Sequence, residues 1–176
     1  MSNSAFRSIT PAELGDNFFS RIGEDWMLIT AEADTPEGGG HVNAMTASWG
    51  AAGILWNKPV AICFIRPQRY TYEIVAHTDR LSLCFFPHGE ERDALRYCGS
   101  KSGRDGDKLA ATGLSSAYTA SGVPYIAEAN LVLICRKLYV DDLKASKFLD
   151  PSLLANYAAG DFHRMFVCEI EDVLVK

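Results

Sequence analysis

Three segments of this sequence carry side chains whose types and spacing suit the binding of a small anion. Arg66-Pro67-Gln68-Arg69-Tyr70-Thr71 sets two arginines at a strand-to-helix junction, with the Thr71 hydroxyl at the helix start. Ser100-Lys101-Ser102-Gly103-Arg104-Asp105-Gly106-Asp107-Lys108 is glycine-rich and holds three cations. Free backbone N–H groups at a helix start, hydroxyls and guanidinium forks bind a phosphate dianion without requiring a globally basic protein. The third segment, Asn43-Ala44-Met45-Thr46-Ala47-Ser48-Trp49-Gly50, reads as a strand running into a turn with small polar residues and one aromatic. Each has a plainer reading on its own. Arg66 and Arg69 suit surface salt bridges, the glycine-rich stretch a solvated loop, and Met45 to Trp49 a strand end packed on the core.

Other chemistry is excluded by what the spacing lacks. Gly99-Ser100-Lys101-Ser102-Gly103 approaches a nucleophile elbow but has Lys at its centre. Gly106 is followed by Asp107, which rules out a Walker loop, and no GxGxxG follows a strand. His41, His77, His88 and His163 have no metal-ligand spacing among themselves or with the cysteines. The net charge of -5 and the lack of a basic stripe argue against nucleic acid or an anionic membrane surface as a partner. Five cysteines, an odd number with no CxxC pair, read as reduced, buried thiols. The longest apolar run, Val60 to Ile65, is far short of a membrane span. Met1 to Asn17 is polar with no apolar leader core, so a cytoplasmic protein is expected.

The elements that must position these segments follow from pattern and punctuation. A chain of 176 residues without a linker or internal repeat is expected to form one domain, 1–176. Thr10-Pro11-Ala12-Glu13 has the N-cap hydroxyl, N1 proline and N3 glutamate of a helix start. That predicts a helix ending near Ile22-Gly23, within an N-terminal segment (1–24) packed on the body of the domain. Strands are expected at Trp26 to Ala33 and His41 to Ser48, paired as a hairpin across a turn at Glu37 to Gly40. Further strands are expected at Val60 to Ile65, Arg80 to Phe86, Asn130 to Val140 and Phe162 to Val175. Helices are expected at Tyr70 to His77, in Glu90 to Thr112 with a glycine-rich interruption, and behind Asp150-Pro151. Most connections are too short for parallel crossovers, which favours a mainly β fold, an antiparallel barrel with peripheral helices.

In order along the chain, several blocks resemble the flavin reductase family. They are Asn43-x-Met45-Thr46-x-Ser48-Trp49, Trp56-Asn57-Lys58-Pro59, Arg66-Pro67-x-Arg69-Tyr70-Thr71, Cys98 to Lys108, and Asp161-x-His163-x-x-Phe166-Val167. The resemblance runs over roughly residues 25 to 175. It implies an FMN-binding split β-barrel with Greek-key antiparallel strands, a homodimer, and FMN in the cleft between subunits. By that likeness Met45, Thr46, Ala47, Ser48 and Trp49 lie along the isoalloxazine ring, largely through backbone groups and the Thr46 and Ser48 hydroxyls. Arg66, Arg69 and Thr71, with Tyr70 between them, take the phosphate. Ser100, Lys101, Ser102, Gly103, Arg104 and Lys108 close over the phosphate and ribityl chain, and His163 sits near the nicotinamide. Cys168 stands where family members often carry Gly. The activity implied is hydride transfer from NADH or NADPH to flavin N5, a reaction that needs ring stacking and no nucleophile. Free flavin, a partner oxygenase, ferric iron or a small molecule would accept the electrons. The alternatives are a non-enzymatic FMN electron carrier of the same fold, and a pyridoxamine-phosphate-oxidase-like barrel holding another phosphate ligand or haem.

Overall fold

The computed structural model describes residues 5–34 and 40–176. The strands are β1 (Arg7–Ile9), β2 (Met27–Asp34), β3 (Gly40–Ala47), β4 (Gly50–Leu55), β5 (Lys58–Ile65), β6 (Arg80–Phe85), β7 (Ser116–Tyr118), β8 (Pro124–Ile126), β9 (Leu131–Asp142) and β10 (Arg164–Val175). The α-helices are α1 (Phe18–Ser20), α2 (Tyr70–His77), α3 (Arg92–Ser100) and α4 (Lys108–Thr112). Every pairing is antiparallel, and the main sheet runs β3-β2-β6-β9-β10-β5-β4, with β1 added beside β10. Most of the turn expected at Glu37 to Gly40 lies outside the described residues, but the hairpin it implies is present as β2–β3.

This strand order forces the sheet to roll up. β3 and β4 stand at opposite ends of the hydrogen-bonded path, yet only Ser48 and Trp49 separate them in sequence. Three residue steps span at most about 11 Å, so the two ends must meet. Gly50 makes that corner possible, because a Cβ there would lie 2.8 Å from the Ile62 carbonyl oxygen and 3.1 Å from Met27 Cε. A bulge at Glu171, between Ile170 and Asp172, bends β10 where its neighbour changes from β5 to β1, and a second irregularity adds Leu138 to β9 opposite Val167/Cys168.

Strand alternation sorts side chains into two cores. Inside the roll lie Met27, Ile29, Leu81, Leu83, Phe85, Leu133 and Phe166. Outside, Leu28, Cys84, Val132 and Ile134 meet Ala94, Leu95 and Cys98 of α3, Leu109 of α4 and Ile126 of β8. Burial on both faces explains why these strands read as continuous apolar runs. All five cysteines are buried and unpaired, and Cys168 belongs to the inner core.

The N-terminal segment differs from the single helix expected. Glu13 does reach back to the Thr10 N–H and hydroxyl, both at 2.7 Å, but it closes only one 3₁₀ turn, Pro11–Glu13. Leu14 is extended, and a second start follows in which Asn17 accepts from the Phe19 N–H at 3.1 Å. Gly15, Asp16 and Asn17 favour caps and turns over helix interiors. The helix then runs from Phe18 through a π turn to Asp25. The helix expected behind Asp150-Pro151 is likewise 3₁₀, Pro151–Tyr157, with Asp150 as its cap.

Candidate functional site

The seam where β3 passes into β4 opens onto two cavities that share Arg69. The first, about 220 Å³, is lined by Met45, Thr46, Ala47, Ser48, Trp49, Phe64, Arg66, Arg69 and His163. The second, about 160 Å³, is lined by Gln68, Arg69, Tyr70, Thr71, Ser100, Lys101, Ser102, Gly103, Arg104 and Lys108. Every residue that the family resemblance places along the ring, the phosphate or the ribityl chain, and His163, therefore lines one of the two. Phe64 and Gln68 were missed. Strict alternation on β5 could have found Phe64, since Cys63 and Ile65 face the core.

The first cavity is walled by backbone on one side and rings on the other. Met45 and Ala47 send their side chains into the inner core, so they offer mainly backbone to the cavity. Among the described residues β3 pairs only with β2, which leaves a row of N–H and C=O groups on its other edge. Thr46 does not offer its hydroxyl proton, which goes to the Leu95 carbonyl at 2.5 Å and ties β3 to α3. Opposite, the His163 ring lies 5.2 Å from the Trp49 ring, centroid to centroid, and its Nδ1 lies 2.8 Å from the Tyr157 hydroxyl. Burial, helped by the nearby Arg66 cation, pushes His163 down to about 4, so its imidazole is neutral at pH 7. Tyr157, a residue the sequence pattern did not flag, thus supports His163 from behind.

The second cavity is where the cations differ in kind. Arg66 and Arg104 have their own counterions: Arg66 pairs with Asp161 and donates to the Asn156 carbonyl, and Arg104 pairs with Glu73. Arg69 and Lys108 have none among the described residues. Arg69 donates to the carbonyls of Gly99 (2.6 Å) and Cys98 (3.1 Å), and Lys108 Nζ to those of Cys98 (3.2 Å) and Lys101 (3.4 Å). Both groups therefore satisfy orphan carbonyls near the end of α3. Lys108 is only 4% exposed. Burial without a carboxylate pushes it down to about 8 and lowers Arg69 as well. Asp107 fixes Lys108 there by capping α4, accepting from Leu109 N (2.9 Å) and Ala110 N (3.1 Å).

Beside these cations, the buried Thr71 hydroxyl accepts from Asn43 Nδ2 at 2.7 Å, which leaves its own proton to donate. Tyr70 and Thr71 open α2, so their N–H groups have no intrahelical partners. Gly103 lies so close to Asn43 and Tyr70 that a Cβ would come within 2.2 Å of Asn43 Oδ1. Ser100 turns its hydroxyl back to the Arg96 carbonyl, and Ser102 accepts from the Arg104 N–H. The corner thus brings two cations without a carboxylate partner among the described residues, a hydroxyl and two helix-start N–H groups to the walls of one cavity. The expectation that Arg66 joins this cluster is not met: it lines the first cavity with His163 and is held by Asp161.

Comparison with known proteins gives the fold a context. The chain is similar to an FMN-binding protein from Thermus thermophilus with bound p-hydroxybenzaldehyde, at 24% identity and TM-score 0.66, covering 97% of this chain and 82% of that one. It is similar to a flavoredoxin from Methanosarcina acetivorans (24%, TM-score 0.64, 86% and 68% covered). A Streptomyces globisporus NADH:FAD oxidoreductase in complex with NAD and FAD fragments also matches (16%, TM-score 0.62, 86% and 74% covered). At these identities the likeness shows a shared split-barrel architecture. No curated protein matches in sequence. The family model for the flavin reductase like domain matches residues 19–176, nearly the whole chain, and the protein belongs to that family.

Proposed function

We propose that this chain binds FMN across the two cavities and acts as an NAD(P)H-dependent oxidoreductase of the flavin reductase type. The observation that carries this reading is the buried Lys108 and its neighbour Arg69, two cations with no carboxylate partner among the described residues, lining one cavity with Thr71 and the start of α2. Buried charge of one sign is costly unless an opposite charge arrives, and a phosphate monoester supplies it. The residues present also fit the rest of FMN. The free edge of β3 offers alternating donors and acceptors to a planar, hydrogen-bonding ring, and Trp49, Phe64 and His163 offer apolar faces.

When bound, FMN supplies a ring that accepts hydride at N5 and passes electrons on singly or in pairs. The chain's own part is to bind, orient and exclude. Arg69, Lys108 and Thr71 anchor the phosphate, which fixes the ring along β3. The hydrogen bond between the Tyr157 hydroxyl and Nδ1 fixes the orientation of the neutral His163 ring, and in the tautomer in which Tyr157 donates, the imidazole proton sits on Nε2. Trp49 is 46% exposed and, with His163, borders the open side on which a nicotinamide would stack. No strong acid–base pair is needed for hydride transfer between stacked rings.

The partner in a homodimer would cover β4. That strand pairs only with β5 among the described residues, and its Ile54 is 74% exposed beside an apolar groove formed with Pro11, Ala12 and Leu14. An exposed apolar edge strand is a surface that proteins cover.

The test is to purify the chain, record the visible absorbance of flavin, identify the heat-released cofactor by chromatography, and mix the loaded protein anaerobically with NADH and with NADPH. Bleaching by either nicotinamide supports the reductase. FMN bound but bleached by neither leaves an electron carrier, and a colourless protein that ignores added FMN contradicts both.

A further inference from the structure

The cations around the second cavity add up to a particular charge. Lys108 is buried and Arg69 half-buried, and neither meets a carboxylate among the described residues. Lys101 also lines the cavity, but it is exposed, so water screens its charge and ordering its long side chain costs entropy. Arg104 is the remaining cation of the wall, and its charge is already met. Its guanidinium pairs with Glu73 of α2, donates to the Gln68 carbonyl at 3.3 Å and lies over the Tyr70 ring, 5.2 Å from its centroid.

That attachment is built from both sides. On the glycine-rich segment, Ser102 Oγ accepts from the Arg104 N–H at 3.2 Å, and the Asp105 N–H closes a turn onto the Ser102 carbonyl, also at 3.2 Å. Gly103 sits against Asn43 and Tyr70 with no room for a Cβ. On α2, Glu73 follows Tyr70 by three residues, so one helix face carries both the ring and the carboxylate that hold Arg104. The cavity is left with two cations of low exposure, while a third that reaches its wall is neutralised.

A phosphate monoester carries close to two negative charges at pH 7 on one phosphorus, which matches Arg69 and Lys108 together. A diphosphate esterified at both ends, as in FAD, spreads the same charge over two groups, and its second phosphate needs a further cation. Arg104 has the guanidinium fork for that task, and Glu73 occupies it. The volume, about 160 Å³, likewise suits one phosphate group, being well under that of a pocket for a whole small ligand. We infer that the Glu73–Arg104 pair is a specificity determinant, restricting the cavity to a terminal phosphate monoester and so selecting FMN against FAD. The inference rests on the flavin reading given above, and in it Glu73 acts through Arg104 without touching the ligand.

The test titrates the full-length protein with FMN and FAD at pH 7 by flavin fluorescence. Calorimetry with methyl phosphate and with the dimethyl ester of diphosphate gives the same comparison without a flavin. Wild type, Glu73→Gln and the double variant Glu73→Gln/Arg104→Gln are compared; both side chains are largely exposed, so folding is retained. Wild type should prefer FMN by about tenfold or more, the worth of one hydrogen bond to a charged group. Glu73→Gln frees Arg104 and should narrow that preference about fivefold, the upper end for an exposed pair. Adding Arg104→Gln removes the freed cation and should restore the preference, whereas a merely structural pair would leave the double variant at least as altered as the single one. Equal wild-type affinity for FMN and FAD would overturn the inference. So would a Glu73→Gln variant that keeps the wild-type preference, or a double variant that keeps the altered one. If neither flavin binds wild type, the phosphate esters decide. A preference for methyl phosphate over the diphosphate diester that Glu73→Gln narrows leaves this inference standing without the FMN reading, and no such preference removes both.

Discussion

At the scale of single residues, the site divides by whether a cation already has a counterion. Arg66 and Arg104 do, and among the described residues Arg69 and Lys108 do not. Replacing Arg69 by Ala should therefore weaken FMN by about 1.5–3 kcal/mol, the worth of a hydrogen bond to a charged group, as read by flavin fluorescence titration. Unchanged affinity would remove Arg69 from the phosphate site. Lys108 makes a pH prediction. Without ligand its ammonium loses its proton near pH 8 rather than at 10.5. A bound phosphate raises that value, so binding takes up a proton above it. FMN affinity should then hold steady just below pH 8 and fall as pH rises through it, by up to about tenfold per unit. Lys108→Met should bind more weakly at neutral pH and lose that fall. A variant that keeps the wild-type pH profile would place the titration elsewhere.

At the scale of elements, the glycine-rich segment fits closely against β3 and α2 at Gly103. Gly103→Ala would push a methyl group into Asn43 and Tyr70, and Asn43 is the residue that orients Thr71. The expected result is a loss of FMN affinity larger than any change in thermal midpoint, measured on the same preparation; a stability loss with unchanged affinity would contradict it. Much of this level was legible in the sequence. Helix α2 begins and ends where Arg66-Pro67 and the following strand predict, and β5, β6, β9 and β10 announce themselves as apolar runs. β4 was not legible, because Gly50-Ala51-Ala52-Gly53 has the weakest strand composition in the sheet and is held by its pairing with β5. Its hairpin turn places Trp56 and Asn57 both at positive φ, 52° and 56°, and Trp gives no hint of that conformation. β1, β7 and β8 are three residues each, too short for any periodicity to show. Within the site, the cations and hydroxyls that line the two cavities were visible as types. Which of them already had partners was not, since Asp161 and Glu73 lie 95 and 31 residues from the arginines they neutralise.

At the scale of the whole molecule, the site lies on the seam of a rolled sheet. Ser48 and Trp49 join the two ends of the strand path, so the cavities sit where β3 has an unpaired edge and the barrel is split. A cavity on an open seam next to an exposed β4 is what a second subunit would complete. Ile54→Glu should leave monomer stability within about 0.5 kcal/mol, as for most surface changes. It should also halve the mass by sedimentation and release flavin together with subunit dissociation. A monomer that retains flavin would contradict the interfacial site. The central claim is that the seam holds FMN by phosphate and ring together. Parallel titration of the wild-type protein with FMN and with riboflavin, which has the same ring and no phosphate, tests it most directly. FMN should bind about 100-fold more tightly or better, reflecting Arg69, Lys108 and Thr71 acting on one dianion. Equal affinity for the two flavins, or none for either, would contradict the account.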